Sequence, residues 1–193
     1  MSEAPPSAQV VRWSGAELGA RALEVLDVYA EAMDVPPEAA RARYAVLLGH
    51  LDREGFDAVA ALEDGRLLGV AYGYVGAPGQ WWNDQVRSAL SEADAREWLD
   101  GAFEVCELHV RPEAQGRGLG RELLDALLNG KACPSAVLTT PDAETRARGF
   151  YRVAGWVDLA RRISFPGDPR EFAVLGLHLP QAQGADGPLG STG

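Results

Sequence analysis

The chain's 193 residues, 47% hydrophobic and 24% charged, have the size and balance of one soluble globular domain. With 18 basic against 28 acidic side chains, a net charge of −10, it lacks the clustered cations a general nucleic-acid binder needs, and its field favours cationic partners. No apolar run approaches the roughly 18 residues that cross a bilayer, and the start MSEAPPSAQ has neither the basic nor the apolar part of a signal peptide, so the reading is a cytoplasmic protein without a membrane partner.

Residues 1–9, with their Pro and Ser, read as a flexible N-terminus, and 10–180 as a single domain. Val10 to Trp13 is a short strand. Ser14 and Glu17 form a capping box, and Leu18, Ala22, Val25 and Tyr29 predict one helix to about Met33. Pro36-Pro37 starts a second helix with Tyr44, Leu47, Leu48 and Leu51 as its apolar face. Asp64-Gly65 joins the runs 57–63 and 66–75 in a hairpin. A long insertion, 76–102, follows, helical over about Gln85 to Leu99. Phe103 to Val110 is the next strand. After a glycine-rich turn, Leu119, Leu123 and Leu127 mark a helix that Gly130 stops. Ser135 to Thr139 is a strand, and Thr140-Pro141 caps and begins a helix to about Ala154. Trp156 to Phe165 and Phe172 to Leu179 are the last strands, and 181–193 is a flexible tail. The class is mixed α/β.

The two cysteines, Cys106 and Cys133, make no disulfide framework. His50, His109 and His178 are far apart, so no metal site is expected.

The informative stretch is Val110-Arg111-Pro112-Glu113-Ala114-Gln115-Gly116-Arg117-Gly118-Leu119-Gly120. A strand, a glycine turn and a helix start put unpaired N–H groups and a partial positive charge at one place, which suits a phosphate. The turn lacks the Gly-Lys-Ser/Thr of a P-loop, and Arg121 stands where a dinucleotide fingerprint needs its third glycine.

Gln115-Gly116-Arg117-Gly118-Leu119-Gly120 resembles the coenzyme A loop of the GNAT superfamily of N-acetyltransferases, Gln/Arg-x-x-Gly-x-Gly/Ala. Phe150-Tyr151-Arg152-Val153-Ala154-Gly155-Trp156 is similar to that family's Tyr-x-x-x-Gly-Phe segment, with Trp for Phe. The resemblance covers about Val10 to Leu179. It implies a mostly antiparallel mixed sheet flanked by helices, and acetyl-CoA as co-substrate. It also implies that the amides of Gln115, Gly116, Arg117, Gly118, Leu119, Gly120 and Arg121 hold the pyrophosphate. The backbone of Leu108, His109 and Val110 would pair with the pantetheine arm, and Tyr151 would be general acid to the leaving thiolate. Many relatives carry Asn seven residues before that Tyr; here the position is Glu144.

An attacking amine must lose its proton, and a carboxylate can take it. Glu104 and Glu107 lie on the strand before the loop, at an odd separation, so only one faces the acceptor unless a bulge intervenes. Glu104 stands where some relatives place a catalytic Glu, and Glu107 lies nearer the expected acetyl site. Cys106 reads as a buried strand residue rather than a nucleophile, and His109 as packing. The family usually has a short hairpin where this chain has 76–102. Trp81, Trp82 and Trp98 with Asp84, Glu92, Asp94 and Glu97 would suit a cationic small molecule or peptide amine, or Trp81-Trp82 would simply anchor the insertion. Exposed sheet edges near the C-terminal strands permit a homodimer. The alternative to an enzyme is a non-catalytic coenzyme A-binding module.

Overall fold

Strand alternation organises the molecule. In the computed structural model, which describes residues 8–180, seven strands form one sheet in the order β1-β2-β3-β4-β5-β7-β6. They are β1 (Gln9–Trp13), β2 (Asp57–Glu63), β3 (Arg66–Val75), β4 (Phe103–Val110), β5 (Ser135–Pro141), β6 (Val157–Ser164) and β7 (Glu171–His178). Every junction is antiparallel except β4–β5. On one face Ala136, Leu138, Ala173 and Leu175 meet the helices α7 (Leu119–Leu128) and α8 (Arg146–Val153). Val137 and Val174 point the other way, as a side-chain period of two requires. That second face is covered in two parts. Helices α1 (Gly15–Ala20), α2 (Ala22–Met33), α3 (Pro37–Arg41) and α4 (Tyr44–Leu51) pack over β1–β3, and the insertion's α5 (Trp81–Ala89) and α6 (Glu92–Leu99) pack over β5 and β7.

Several expectations hold in detail. Ser14 Oγ accepts from the Glu17 amide at 3.2 Å while Glu17 accepts from the Ser14 amide at 2.7 Å, so the capping box is complete. Asp64 and Gly65 both take positive φ, 51° and 79°, as a two-residue hairpin turn requires. Leu119, Leu123 and Leu127 are all buried, each contributing about 2 kcal/mol of apolar burial.

Others are corrected. The first strand starts at Gln9, inside the stretch expected to be loose; 1–7 and the expected tail 181–193 lie outside the described residues. The helix expected to run unbroken to Met33 is interrupted at Arg21 (φ −112°, ψ 19°), whose guanidinium stacks on Trp13 and bonds Glu24 and the Gly65 carbonyl. The second helix divides at Ala42-Arg43, and Tyr44 is exposed rather than on the buried face. The insertion holds two helices, because Ser91 caps a new one after α5 ends. Thr140-Pro141 does not begin a helix. Both residues extend β5 against Ala173 and Phe172 of β7, and α8 starts at Arg146 with Thr145 as its cap.

A bulge interrupts the pairing of β3 with β4. Tyr72 pairs with Glu107 and Gly73 with Val105, leaving Cys106 as the extra residue. A β-carbon on Gly73 would stand 2.1 Å from the Glu104 carbonyl oxygen and 2.7 Å from the Phe103 ring. Gly73→Ala should therefore push the two strands apart and cost about 2–4 kcal/mol, read as a fall in melting temperature. An unchanged melting temperature would show that the bulge tolerates a side chain.

Candidate active site

β4 is paired with β3 along its length but with β5 only at Phe103 and Glu104. Beyond Glu104 the parallel strands part, and among the described residues the β5-facing edge of Val105 to Val110 carries no partner strand. Unpaired strand backbone of this kind accepts an extended ligand as an added strand. Leu108, His109 and Val110, expected to do this, lie on that open edge; the Val110 carbonyl already accepts from Gln115 Nε2 at 3.0 Å.

The bulge decides which side chains flank the opening. Phe103 and Val105 belong to the α7 face, whereas Cys106 packs with the α1–α4 core. With Cys106 as the extra residue, Glu104 and Glu107 come to the same face although their separation is odd. Their environments differ. Glu104 is 5% exposed. Its Oε1 accepts from the Tyr74 hydroxyl at 3.3 Å and the Cys106 thiol at 3.8 Å, and its Oε2 is buried without a partner among the described residues. Burial, only partly offset by those two bonds and by Arg53, raises the Glu104 carboxyl from 4.5 to about 7. Burial also pushes Glu107 up, but His109 and then Arg43 outweigh it, and Glu107 is held below the ordinary carboxylate value. His109 Nε2 lies 2.5 Å and Arg43 2.6 Å from its oxygens. Glu107 is thus a clamped anion, and Glu104 a carboxyl that exchanges its proton near neutrality. Burial raises the Cys106 thiol well above its ordinary value, as a structural strand cysteine requires.

Tyr151 is on α8, on the opposite face, 8% exposed and held edge-on between Phe150 and Trp156. Burial, and then the charge of Glu107, raise its phenol further above the usual range, so it is a protonated donor at neutral pH. Glu144 lies before α8 with its side chain largely exposed, 3.6 Å from Arg152.

The glycine turn begins with a short 3-10 turn at Pro112–Ala114. Gly116 and Gly118 come next, with φ 78° and 87°, a region other residues seldom occupy. The amides of Gly116, Arg117, Gly118, Leu119 and Gly120 have no backbone partner among the described residues. The ends of the expected run are engaged within the turn: Gln115 donates to the Pro112 carbonyl at 3.3 Å, and Arg121 to that of Gly118 at 2.9 Å. Five free amides at the start of α7 are an arrangement whose chemistry suits an anion.

The insertion reaches the opening in part. Trp82 Nε1 donates to Thr139 on β5, beyond the residues paired with β4, at 3.3 Å, and the neighbouring Asn83 is buried. Trp81 is exposed beside Phe165, and Trp98 stacks on His178 at 4.0 Å. The insertion's carboxylates are engaged elsewhere: Asp84 by the Gly79 amide, Glu92 by Arg96, Asp94 by Ser91 and Glu97 by His178. Sequence reasoning missed Arg43, Tyr74 and Asn83. They come from α3–α4, β3 and the insertion, and no local pattern linked them to β4. Among the described residues no group of three or more His, Cys, Asp or Glu could hold a metal ion, and no helix is long and apolar enough to cross a membrane.

Compared with known proteins, residues 22–156 match the model of the "Acetyltransferase (GNAT) family". The chain is 38% identical over 187 residues to a GCN5-like protein acetyltransferase of Mycobacterium tuberculosis, covering 81% of this chain and 91% of that one. Its fold is similar to that of a Desulfovibrio desulfuricans protein assigned to the GNAT family (TM-score 0.65, 21% identity, 89% of this chain and 99% of that one). It is also similar to the PaiA N-acetyltransferase of Thermoplasma acidophilum, solved with coenzyme A (TM-score 0.58, 16% identity, 89% and 99%).

Proposed function

The chain belongs to the GNAT family of acetyltransferases, and on that footing we propose that it moves an acetyl group from acetyl-CoA to a primary amine of a protein by direct attack, with Glu104 as base and Tyr151 as acid. Acetyl-CoA, the family's acetyl donor, supplies the acyl group as a thioester. This chain's residues fit it: the free amides from Gly116 to Gly120 suit a pyrophosphate, and the open edge of β4 suits an extended amide-bearing arm. The protein acceptor is supported by the 38% identical relative, itself a protein acetyltransferase.

One observation carries the mechanism. On β4, where its open edge begins, stands a carboxyl raised to about 7, and on the opposite face of the sheet α8, packed on β5, carries a protonated phenol. An amine with an ordinary value near 10.4 arrives as ammonium. Glu104, its carboxyl raised to about 7, takes its proton; Glu107, held ionised by His109 and Arg43, is the weaker base. On the far face Tyr151 donates its hydroxyl proton to the departing sulfur. Close placement along the β4 edge supplies the orientation term.

The test measures thiol release from acetyl-CoA with proteins and peptides bearing lysine or N-terminal amines, with mass analysis of the acceptor. A mass gain of one acetyl group on an amine is expected. Stabilisation by acetyl-CoA without any reacting amine would replace the proposal with a non-catalytic coenzyme A-binding module. With a reacting acceptor in hand, Tyr151→Phe should lower kcat by on the order of a hundredfold and leave acetyl-CoA affinity within about twofold. Equal losses in both would make Tyr151 a packing residue only.

A further inference from the structure

We propose that Asn83 is a positioning residue for this reaction, its side-chain amide donating to the free oxygen of Glu104 whenever that carboxyl ionises. The inference rests on the reading of Glu104 as the base.

A buried carboxylate oxygen needs a donor. Glu104 Oε1 has two, from Tyr74 and Cys106, while Oε2 is buried with none. Asn83, on the first turn of α5, is 1% exposed, and Oε2 and Asn83 Nδ2 flank one spot on the main chain. A β-carbon on Gly76 would lie 3.1 Å from Nδ2 and 3.8 Å from Oε2. Gly76 has no side chain to separate the two groups. The orientation of the amide is set from behind. Arg87 Nε donates to Asn83 Oδ1 at 3.3 Å, and Arg87 is itself held by Asp100 at 2.8 Å. A guanidinium on the carbonyl end turns the NH2 end of Asn83 the other way, toward Gly76 and Glu104. An asparagine buried to this degree in the insertion is otherwise costly, and the one unpartnered carboxylate oxygen beside it supplies the reason for its polarity.

The proton balance is simple. The amine gives its proton to the Glu104 carboxylate, and Asn83 gives up no proton; it donates a hydrogen bond to the ionised form and loses that partner's charge when the carboxyl is protonated. The other groups facing Glu104 are Tyr74 from β3, Cys106 from β4 and Arg53 from the segment after α4. They act from the Oε1 side or at longer range, so Asn83 is the group that selectively tunes Oε2.

The experiment is the pH profile of kcat/KM on the acceptor that turns over, with acetyl-CoA affinity measured alongside. Asn83→Asp keeps the size of the side chain and an oxygen for Arg87, but sets a negative charge beside Oε2. The acid limb should move up by about one pH unit or more, a loss of about fivefold or more at pH 7 that is recovered at high pH, with acetyl-CoA affinity unchanged. Gly76→Ala approaches the same pair from another element, its methyl displacing Nδ2, and should move the limb the same way. A purely structural role for Asn83 would lower activity evenly across pH. Folded Asn83→Asp and Gly76→Ala proteins with the wild-type limb, beside a Glu104→Gln protein that has lost it, would overturn the role of Asn83 and leave the base reading standing. A Glu104→Gln protein that keeps the limb would overturn both.

Discussion

Glu104→Gln is expected to lower kcat about a hundredfold or more at pH 7 while making the folded protein more stable above that pH. The activity loss comes from removing the proton acceptor beside the open edge of β4, a change worth roughly 10²–10⁴ for a positioned base. In the wild type, kcat/KM should rise with pH and level off above about 7, because only the ionised carboxylate accepts a proton and burial raises that carboxyl to about 7. The variant should lack this limb. The stability gain has the same origin with the opposite consequence. A carboxyl at 4.5 when unfolded and about 7 when folded binds more protons in the native state between those values. Stability contributed by the protonated form is therefore full below about 4.5 and is lost as the pH rises to about 7, on the order of 3 kcal/mol in all. Glutamine cannot ionise, so its unfolding free energy should lack that decline when denaturation is measured from pH 5 to 8. A Glu104→Gln protein turning over within about threefold of wild type would remove Glu104 from the mechanism. One without a changed stability profile would mean that Glu104 is not desolvated.

Gly120→Asp should abolish acetyl-CoA binding in a protein at least as stable as wild type. Gly120 is the second residue of α7, and a β-carbon there meets nothing within 4 Å. Replacing a helical glycine recovers a few tenths of a kcal/mol, and an acidic side chain in the first turn adds about 0.3–1 kcal/mol through the helix dipole. The same carboxylate would stand beside the free amides of Gly116 to Gly120, against a bound pyrophosphate. Like charges in a binding site cost several kcal/mol, which corresponds to more than about a hundredfold in affinity. Gly118 is the poorer place for this test, because at φ 87° any side chain strains the turn and mixes folding with binding. Thermal stabilisation by acetyl-CoA gives the readout: present in wild type, absent in Gly120→Asp, with the unliganded melting temperature equal or higher. Full stabilisation of the variant would move the coenzyme away from this turn.

The α7 stripe, the Asp64-Gly65 hairpin, the Ser14 cap and the limits of β4 were legible because each is set by residues close in sequence. The glycine turn was legible for the same reason; the positive φ of Gly116 and Gly118 came from the structure. Thr140-Pro141 was misread as a helix start because its local chemistry, a cap residue before proline, competes with β7 pairing, and the sheet won. The break at Arg21 was hidden because the partners that hold it, Trp13 and the Gly65 carbonyl, lie outside the helix, the carbonyl far away in sequence.

By itself, then, the sequence determined the α7 stripe, the hairpin, the span of β4 and the glycine turn before α7, all products of local backbone preference and side-chain spacing. Only the tertiary structure decided how those residues are arranged. The bulge at Cys106, imposed by the register of β3 against β4, brought Glu104 and Glu107 to one face despite their odd spacing. Burial raised one carboxyl toward neutrality against the bond from Tyr74, and His109 with Arg43 held the other ionised. A carboxyl's proton affinity depends on the solvent it loses and the charges it meets. For Glu104 the burial comes from chain segments far away in sequence, whereas Glu107 is held ionised first by His109, two residues along its own strand, and then by the distant Arg43.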